Sequence, residues 1–142
     1  MDGQKTILVA EDEEDIRELL KSVLERSGYN VVLAEDGKKA LVSVREKKPD
    51  LIILDLMLPF LSGWEVCVEI KRDPKLSQIP VIVLTATSLD QAKLAKVNAD
   101  DYLAKPCSSQ ELTTRVAALL KKSSAAEKTK PDANPYGTNR LL

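Results

Sequence analysis

Four apolar runs in this chain each end in polar residues of the kinds that handle metal ions and phosphoryl groups. The polar residues are the acidic pair Glu11-Asp12, then Asp55, Thr85 and Lys105. Each run before them is short and rich in aliphatic or β-branched side chains, as is typical of a buried strand. Because chemistry in parallel α/β sheets takes place beyond the carboxyl ends of the strands, we expect these side chains to meet at one edge of a sheet. There they would form a site for Mg²⁺ and phosphate, since Mg²⁺ prefers carboxylate, water and phosphate oxygens.

Asp55 is the residue of this set that we expect to react. Asp12 and Asp55 can supply carboxylates to Mg²⁺, and at about 4 Å with an effective dielectric of about 20 two unit charges interact by about 4 kcal/mol. A bound cation therefore keeps the cluster ionised, and an ionised Asp55 can attack phosphorus to form an aspartyl phosphate. Lys105 would offset the charge that builds on the phosphoryl oxygens, and the Thr85 hydroxyl would donate a hydrogen bond to one of them.

Each of these residues taken alone has a plainer explanation. A Glu-Asp pair after a strand is more often a helix N-cap than a metal ligand, a lone Thr85 is more often an ordinary strand residue, and a lone Lys105 is usually solvated. The plain explanations do not account for an acid pair, an acid, a hydroxyl and an ammonium group, in that order, at the ends of four apolar runs. The set as a whole indicates a site.

The composition excludes several other kinds of chemistry. The chain has 142 residues, with 21 Lys and Arg against 22 Asp and Glu, and no histidine. The length suits one domain, and the balanced charge offers no electrostatic basis for a nucleic-acid or membrane partner. Without histidine, Ser-His-Asp and Cys-His catalysis and mixed Cys/His zinc sites are excluded. Cys67 and Cys107 lack metal-ligand spacing, and we interpret both as small buried hydrophobic residues.

Short strand-like runs alternate with helical patterns, which predicts an α/β fold with a parallel sheet. Nothing approaches the roughly 18 consecutive apolar residues of a membrane span, so we expect a cytoplasmic protein. The predicted strands are residues 6–10, 31–34, 51–55, 81–85 and 101–104.

Five helices are predicted between and after these strands. The first carries an apolar face from Ile16 to Leu24 and stops at Gly28, and the last begins close to Ser109. The middle three are predicted at residues 38–46, 63–71 and 89–97, with Asn98 in the left-handed conformation that often ends a helix. From residue 123 the sequence is polar and broken by proline, so residues 123–142 are predicted to be a flexible tail or linker.

Four motifs follow one another along the chain in an order that is highly specific. They are Ile7-Leu8-Val9-Ala10-Glu11-Asp12, Asp55-Leu56-Met57-Leu58-Pro59 with Gly63, Val83-Leu84-Thr85-Ala86, and Ala99-Asp100-Asp101-Tyr102-Leu103-Ala104-Lys105-Pro106. On these motifs the chain resembles the receiver domain of bacterial response regulators, the CheY-like family, over residues 5–122. The resemblance implies a (βα)5 flavodoxin-like, doubly wound sheet with strand order 2-1-3-4-5.

The resemblance also implies a role for each site residue. Asp55 would be the phospho-acceptor and Lys105 would pair with the phosphoryl group. Asp12 would bind Mg²⁺ directly and Glu11 would act through water, while Met57 would contribute its backbone carbonyl. The phosphoryl donor would be a sensor histidine kinase or a histidine phosphotransfer protein of a two-component system or phosphorelay.

A switch and a cis proline are implied in the same way. Thr85 and Tyr102 match the family's switch pair, in which the hydroxyl moves toward the phosphate and the aromatic ring turns into the space it leaves. The plainer explanation of Tyr102 is a half-buried strand aromatic. The bond before Pro106 would be cis.

The chain departs from the family pattern at a few positions. Phe60 stands where the family often has Gly, Cys107 stands where it often has Phe, and residues 86–98 form a shorter stretch than is usual. Met57 and Thr87 occupy positions whose side chains control the access of water to the phosphoryl group. Because Met57 cannot orient a water molecule well, we expect slow autodephosphorylation.

Two other function classes compete with a phosphorylation switch. A phosphate-independent scaffold with a receiver-like fold would usually have lost an acid, the Thr or the Lys, and this chain retains them all. An aspartate-nucleophile phosphatase of the haloacid-dehalogenase kind would need a second Asp at position 57, which is Met57 here. The sequence leaves open whether the chain is a stand-alone regulator or part of a larger or hybrid protein, and no DNA-binding motif is recognised after residue 122.

Overall fold

Five strands form one parallel sheet in the order β2-β1-β3-β4-β5. The computed structural model describes residues 3–85 and 98–129. The strands are β1 Thr6–Ala10, β2 Asn30–Ala34, β3 Leu51–Asp55, β4 Val81–Thr85 and β5 Asp101–Ala104. The predicted strand order is confirmed, and the predicted strands are reproduced except that β2 begins one residue earlier, at Asn30.

Four helices lie within the described residues. They are α1 Glu14–Arg26, α2 Gly37–Lys47, α3 Gly63–Arg72 and α4 Ser109–Thr129. None of them is long and apolar enough to cross a membrane. The helix predicted at residues 89–97 lies outside the described residues, as does Thr87. Asn98, which follows it, has a φ of 60°, so the predicted left-handed conformation is confirmed.

Helix α4 begins at Ser109 as predicted but continues past Lys122 to Thr129. The prediction of a flexible tail from residue 123 onward is therefore corrected for residues 123–129. This segment contains no Gly or Pro, and its Ala, Glu and Lys residues are good helix formers, while the first proline after it is Pro131. Its polar composition predicts a tail, but helix propensity does not require apolar residues, and the segment is helical.

Both faces of the sheet are covered, which explains why its central strands are almost entirely apolar. Alternate residues of each strand point to opposite faces. Leu8, Ile52 and Val83 belong to the core that α2 and α3 cover, while Ile7 and Ile53 belong to the core that α1 and α4 cover. We call these the α2/α3 core and the α1/α4 core. With both faces buried, the sheet meets solvent at the ends of its strands.

Two glycines allow helices to approach the loop between β3 and α3. A Cβ atom on Gly37, the first residue of α2, would lie 1.6 Å from the Leu61 carbonyl oxygen. A Cβ atom on Gly63, the first residue of α3, would lie 2.1 Å from the carbonyl oxygen of Asp55. In both cases the obstacle is backbone, which cannot move aside as a flexible side chain can. These two glycines therefore fix where the loop after Asp55 runs.

Phe60 lies in this loop with a φ of 69°, which is unusual for a bulky residue. The Leu61 N–H donates to the Pro59 carbonyl at 2.8 Å, so Phe60 is the central residue of a γ-turn with positive φ. The Gly37 N–H donates to the same carbonyl at 3.1 Å, which holds the turn against α2. Phe60 is 79% exposed, so burial of its ring contributes little free energy that could offset the strain.

We expect Phe60→Gly to be more stable than Phe60→Ala by about 0.5–1 kcal/mol. An L-residue in the left-handed region costs about 1–2 kcal/mol that glycine does not, while the greater freedom of glycine in the unfolded chain costs about 0.5–1 kcal/mol. Urea unfolding of the two variants measures the difference. At an ordinary exposed position alanine is the more stable of the two, so an alanine variant equal to or above the glycine variant would contradict the strain.

Candidate metal and phosphoryl site

The parallel register brings the predicted site residues to one edge of the sheet. Ala10 of β1 is paired with Leu54 of β3, so the residues that follow them, Glu11 and Asp55, lie beside each other. Thr85 at the end of β4 is paired with Ala104 of β5, which places Lys105 immediately beyond the same edge. The prediction that these strand ends converge is confirmed by the register.

Three carboxylates crowd together at this edge. Glu11, Asp12 and Asp55 each offer an oxygen, and these oxygens all lie within 4.8 Å of one another. Glu11 is 1% exposed and Asp55 is 4% exposed, whereas Asp12 lies on the surface. The cluster is therefore open to solvent on the Asp12 side and closed on the side of the sheet.

Lys105 bridges the two buried carboxylates. Its Nζ lies 2.7 Å from Glu11 Oε1 and donates to Asp55 Oδ2 at 2.9 Å. The Lys105 backbone N–H donates to the Thr85 carbonyl at 2.8 Å, which fixes the start of the lysine side chain against β4. The bond between Lys105 and Pro106 is cis, as predicted. One ammonium group thus faces three carboxylates, and the cluster keeps a negative excess.

The charges of the buried groups respond to this crowding. Burial raises the pKa of the Glu11 carboxyl, and the nearby Asp55 charge adds to the increase, while Lys105 and the Glu13 N–H reduce it. For Lys105, burial lowers the pKa of the ammonium group, but the contacts with Glu11 and Asp55 outweigh burial and raise it. Lys105 therefore stays charged, and a further cation would favour the charged form of Glu11.

The oxygens of the cluster suit a divalent cation. Glu11 Oε2 accepts from the Glu13 N–H at 3.1 Å and Asp55 Oδ1 accepts from the Met57 N–H at 3.0 Å, so loop backbone orients both carboxylates. Glu11 Oε1 is buried beside Lys105 but receives no hydrogen bond of normal geometry from the described residues. Several carboxylate oxygens next to an open side are the donors that Mg²⁺ prefers.

Arg17 supports the site without having been predicted to do so. Its guanidinium donates to the Glu11 carbonyl at 2.9 Å and to the Asp12 carbonyl at 3.2 Å, which holds the loop between β1 and α1. Because the acceptors are backbone carbonyls, no pattern of side chains in the sequence indicates this contact. The only available signal is a long basic residue in the first turns of α1.

Thr85 and Tyr102, the predicted switch pair, lie on the same face of the sheet but not side by side. Thr85 is buried and pairs in register with Ala104, whereas Tyr102 pairs with Val83. Tyr102 is half-buried and packs against the α2/α3 core. These surroundings also match the plainer explanation of a half-buried strand aromatic, so the switch role stays a prediction.

Met57 and the two cysteines complete the placement of the predicted residues. The Met57 side chain is 68% exposed beside the site, and its use of the backbone carbonyl as a metal ligand stays a prediction. Cys67 is buried in α3, as predicted, and burial raises the pKa of its thiol to about 11. Cys107 is only half-buried, so its predicted burial is corrected: it follows Pro106 in the exposed loop before α4.

Comparison with known protein families gives a match over most of the chain. The family model described as the response regulator receiver domain matches residues 7–117. The chain is 45% identical over 124 residues to the alkaline phosphatase synthesis transcriptional regulatory protein PhoP of Bacillus subtilis, covering 86% of this chain and 51% of that protein. It is 41% identical to the phosphate regulon transcriptional regulatory protein PhoB of Pseudomonas aeruginosa, covering 89% and 56%. The chain thus spans about half the length of the curated relatives it matches.

Solved structures with the same fold include two that contain magnesium. The response regulator TrrA of Thermotoga maritima, in complex with Mg²⁺-BeF, is 40% identical with a TM-score of 0.75, covering 82% of this chain and 99% of that one. The receiver domain of a sensor histidine kinase of Pseudomonas aeruginosa is 31% identical with a TM-score of 0.78, covering 83% and 98%. Its structure has a magnesium ion coordinated in the active-site cleft.

We expect Asp12→Asn to stabilise the domain by about 1 kcal/mol when EDTA removes divalent cations. Two like charges within 4.8 Å of each other repel by roughly that amount even at the dielectric of water, and the described residues place no ion pair on Asp12 that its loss would break. Urea unfolding in EDTA measures the change.

Asp15→Asn serves as the matched control. Asp15 is an exposed acid in the first turn of α1, where its charge favours the helix dipole, so its neutralisation should cost about 0.3–1 kcal/mol. The two substitutions are therefore expected to change the free energy of unfolding in opposite directions. A loss of stability in Asp12→Asn comparable to that in Asp15→Asn would show that the carboxylates are not in repulsion.

Proposed function

We propose that this chain, which belongs to the response regulator receiver domain family, is a phosphorylation-controlled switch whose phospho-acceptor is Asp55. Receiver domains of this family are signalling proteins that take phosphate from histidine kinases. The observation that carries the proposal is the buried Asp55 carboxylate, held by Lys105 at 2.9 Å inside a cluster of three acids that opens to solvent. An acid in that position is oriented, partly neutralised and reachable.

Mg²⁺ is the cofactor we propose for this cluster. Asp12 and Asp55 would bind it directly, Glu11 would act through water, and Met57 would add its backbone carbonyl. When bound, the ion would neutralise the carboxylates and the incoming phosphoryl oxygens. The chemistry of the donor set and the excess of three carboxylates over one ammonium group support this assignment.

Phosphoryl transfer needs little covalent chemistry from the protein besides the nucleophile. A carboxylate oxygen of Asp55 forms a bond to phosphorus as the nitrogen–phosphorus bond of a phosphohistidine breaks, and the bonding electrons return to the imidazole nitrogen. The Met57 N–H keeps the Asp55 carboxylate oriented during the step. Lys105 then balances the charge on the phosphoryl oxygens, for which it must loosen one of its present ion pairs.

We propose that the domain then reports its state through Thr85 and Tyr102. The Thr85 hydroxyl would turn toward the phosphoryl group, and Tyr102 would move into the space on the same face of the sheet. Such a local change of charge selects between two arrangements of a packed element. The burial of Thr85 at the strand end and the half-buried ring of Tyr102 support this role.

The partners follow from this chemistry. The phosphoryl donor would be a sensor histidine kinase or a histidine phosphotransfer protein in the cytoplasm, and the output partner would recognise the switched surface. We propose no contact of this domain with nucleic acid or membrane. The scaffold alternative gains no support, because the acids, Thr85 and Lys105 are all in place.

Incubation with acetyl phosphate and Mg²⁺ should add one phosphoryl group to the chain, as measured by intact mass. The gain should disappear in Asp55→Asn and in EDTA, since the nucleophile or the neutralising cation is then missing. Asp15→Asn, an exposed acid outside the site, should be phosphorylated like the native chain. Absence of any gain in the native chain, together with no Mg²⁺-dependent rise in its melting temperature, would favour the phosphate-independent scaffold.

Met57→Asn should shorten the lifetime of the aspartyl phosphate several-fold. An amide can orient a water molecule toward phosphorus, whereas the exposed thioether of Met57 cannot. The decay of the phosphorylated mass after removal of the donor measures the lifetime. Met57→Leu, which keeps an apolar side chain of similar size, should decay like the native chain, and equal lifetimes for the Asn and Leu variants would refute the role of position 57.

A further inference from the structure

Lys71, at the end of α3, is an ammonium group whose three N–H donors are all used. It donates to the carbonyls of Ser77 at 3.2 Å and Ile79 at 3.1 Å and to Asp100 Oδ2 at 2.8 Å. Its side chain is only 13% exposed. An ammonium has three donors, so the lysine is saturated in this position. It thereby ties α3 to the segment before β4 and to the segment before β5.

Asp100 is held from two further directions. Its Oδ2 accepts from the Val81 N–H at 2.8 Å, and its own N–H donates to the Val81 carbonyl at 2.9 Å. Asp100 is thus fixed to the first residue of β4 by two hydrogen bonds and to α3 by an ion pair. We call the Lys71–Asp100 pair with these bonds the Lys71 clasp. It lies at the opposite end of β5 from Lys105.

The clasp adjoins the residues that surround the Tyr102 ring. Asp100 precedes Tyr102 by two residues, and the neighbouring Ala99 packs, like Tyr102, against the α2/α3 core. Cys67, one helical turn before Lys71 on the same face of α3, belongs to the core against which Tyr102 packs. Burial raises the pKa of the Tyr102 phenol, and the charges of Cys67 and Asp100 add to the increase.

Strand β5 makes the position of Tyr102 depend on such contacts. Within the described residues β5 pairs only with β4, so ion pairs with α3 and α4 add to the backbone pairing that holds its first residues. Asp101 binds Arg115 of α4 at 2.7 Å, but successive strand residues point to opposite faces. Asp100 and Tyr102 alternate with Asp101 and Leu103, so the clasp anchors the face of β5 that carries the Tyr102 ring.

We propose that Lys71 is a positioning residue that, through Asp100 and Ala99, holds the Tyr102 ring in its resting orientation. This inference deepens the proposed function and rests on it in one respect, namely that Tyr102 is a switch residue. The clasp sets how much the resting orientation is favoured before phosphorylation. A chain without the clasp populates the alternative orientation in the absence of phosphate, because Ala99 and Asp100, which precede Tyr102, are no longer fixed to α3.

The test is fluorine NMR of the full chain labelled with 3-fluorotyrosine, without phosphodonor. The chain has three tyrosines, so Tyr102→Phe assigns the Tyr102 resonance. Lys71→Met keeps the aliphatic stem and removes the ammonium, and should move the resonance or split it into two populations. Lys71→Arg, which can restore the ion pair, should return it toward the native position. Lys21→Met, which breaks the exposed Lys21–Glu25 pair of α1, should leave it in place.

A purely structural role gives a different result. In that case Lys71→Met lowers the melting temperature while the Tyr102 resonance stays at its native position, and the proposal is overturned. If Lys71→Met does not fold, Asp100→Asn replaces it: the amide oxygen still accepts from the Val81 N–H, but the ion pair is gone, and the same resonance shift is expected. An unmoved resonance in a folded Asp100→Asn likewise overturns the clasp.

The proposed function is tested separately by the mass of the native chain after acetyl phosphate. The clasp is tested without phosphate, so the two experiments are independent. If the native chain is not phosphorylated but Lys71→Met shifts the Tyr102 resonance, the proposed function is refuted and the clasp is supported. If the native chain is phosphorylated but Lys71→Met does not shift the Tyr102 resonance, the clasp is refuted and the proposed function is supported.

Discussion

The crowding of three carboxylates at the end of a parallel sheet, with a single ammonium group among them, is the constraint on which this structure depends. Glu11, Asp12 and Asp55 would separate if their chain segments were free to move, because like charges this close together repel. The paired strands β1 and β3 hold two of them in adjacent register positions. Lys105 neutralises only part of the charge, so the folded scaffold keeps together groups that favour an added cation or the gain of a proton.

The loop after Asp55 shows how the scaffold achieves this. Gly37 and Gly63 let two helices touch the loop backbone, at distances that a Cβ atom would forbid. The γ-turn at Phe60 places a strained residue between them, and its Pro59 carbonyl is held by the N–H of Gly37. Strain of this kind persists only where surrounding structure determines the backbone. The Met57 N–H that orients the Asp55 carboxylate belongs to the same loop. Close packing of the helices against the end of this loop therefore helps to fix the carboxylate at its beginning.

The sequence predicts the parts of this arrangement that follow from strand patterns and not those that follow from side chains bound to distant backbone. Continuous apolar runs identify the five strands, and the polar residue after each run then falls at the correct edge of the sheet. Arg17 donates to carbonyl groups, as Lys71 does in two of its three hydrogen bonds, and every residue possesses a carbonyl, so no residue type marks these partners. The positive φ of Phe60 cannot be predicted from the sequence, because phenylalanine does not favour that conformation. The helical extension beyond Lys122 was obscured by its polar composition.

Strand β5 connects these features, since its two ends are held by different kinds of contact. At its carboxyl end Lys105 faces Glu11 and Asp55, and a new charge on Asp55 would redistribute those contacts directly. At its amino end Asp100 and Asp101 are tied to α3 and α4 by ion pairs that no charge at the site touches. β5 spans only Asp101–Ala104, so a change at Lys105 is at most one short strand from the anchored end. Tyr102 lies between the two ends, where a pull from the site would act against a fixed anchor. A rigid anchor turns a small displacement into a change of side-chain orientation, because packed elements have discrete arrangements and do not deform continuously.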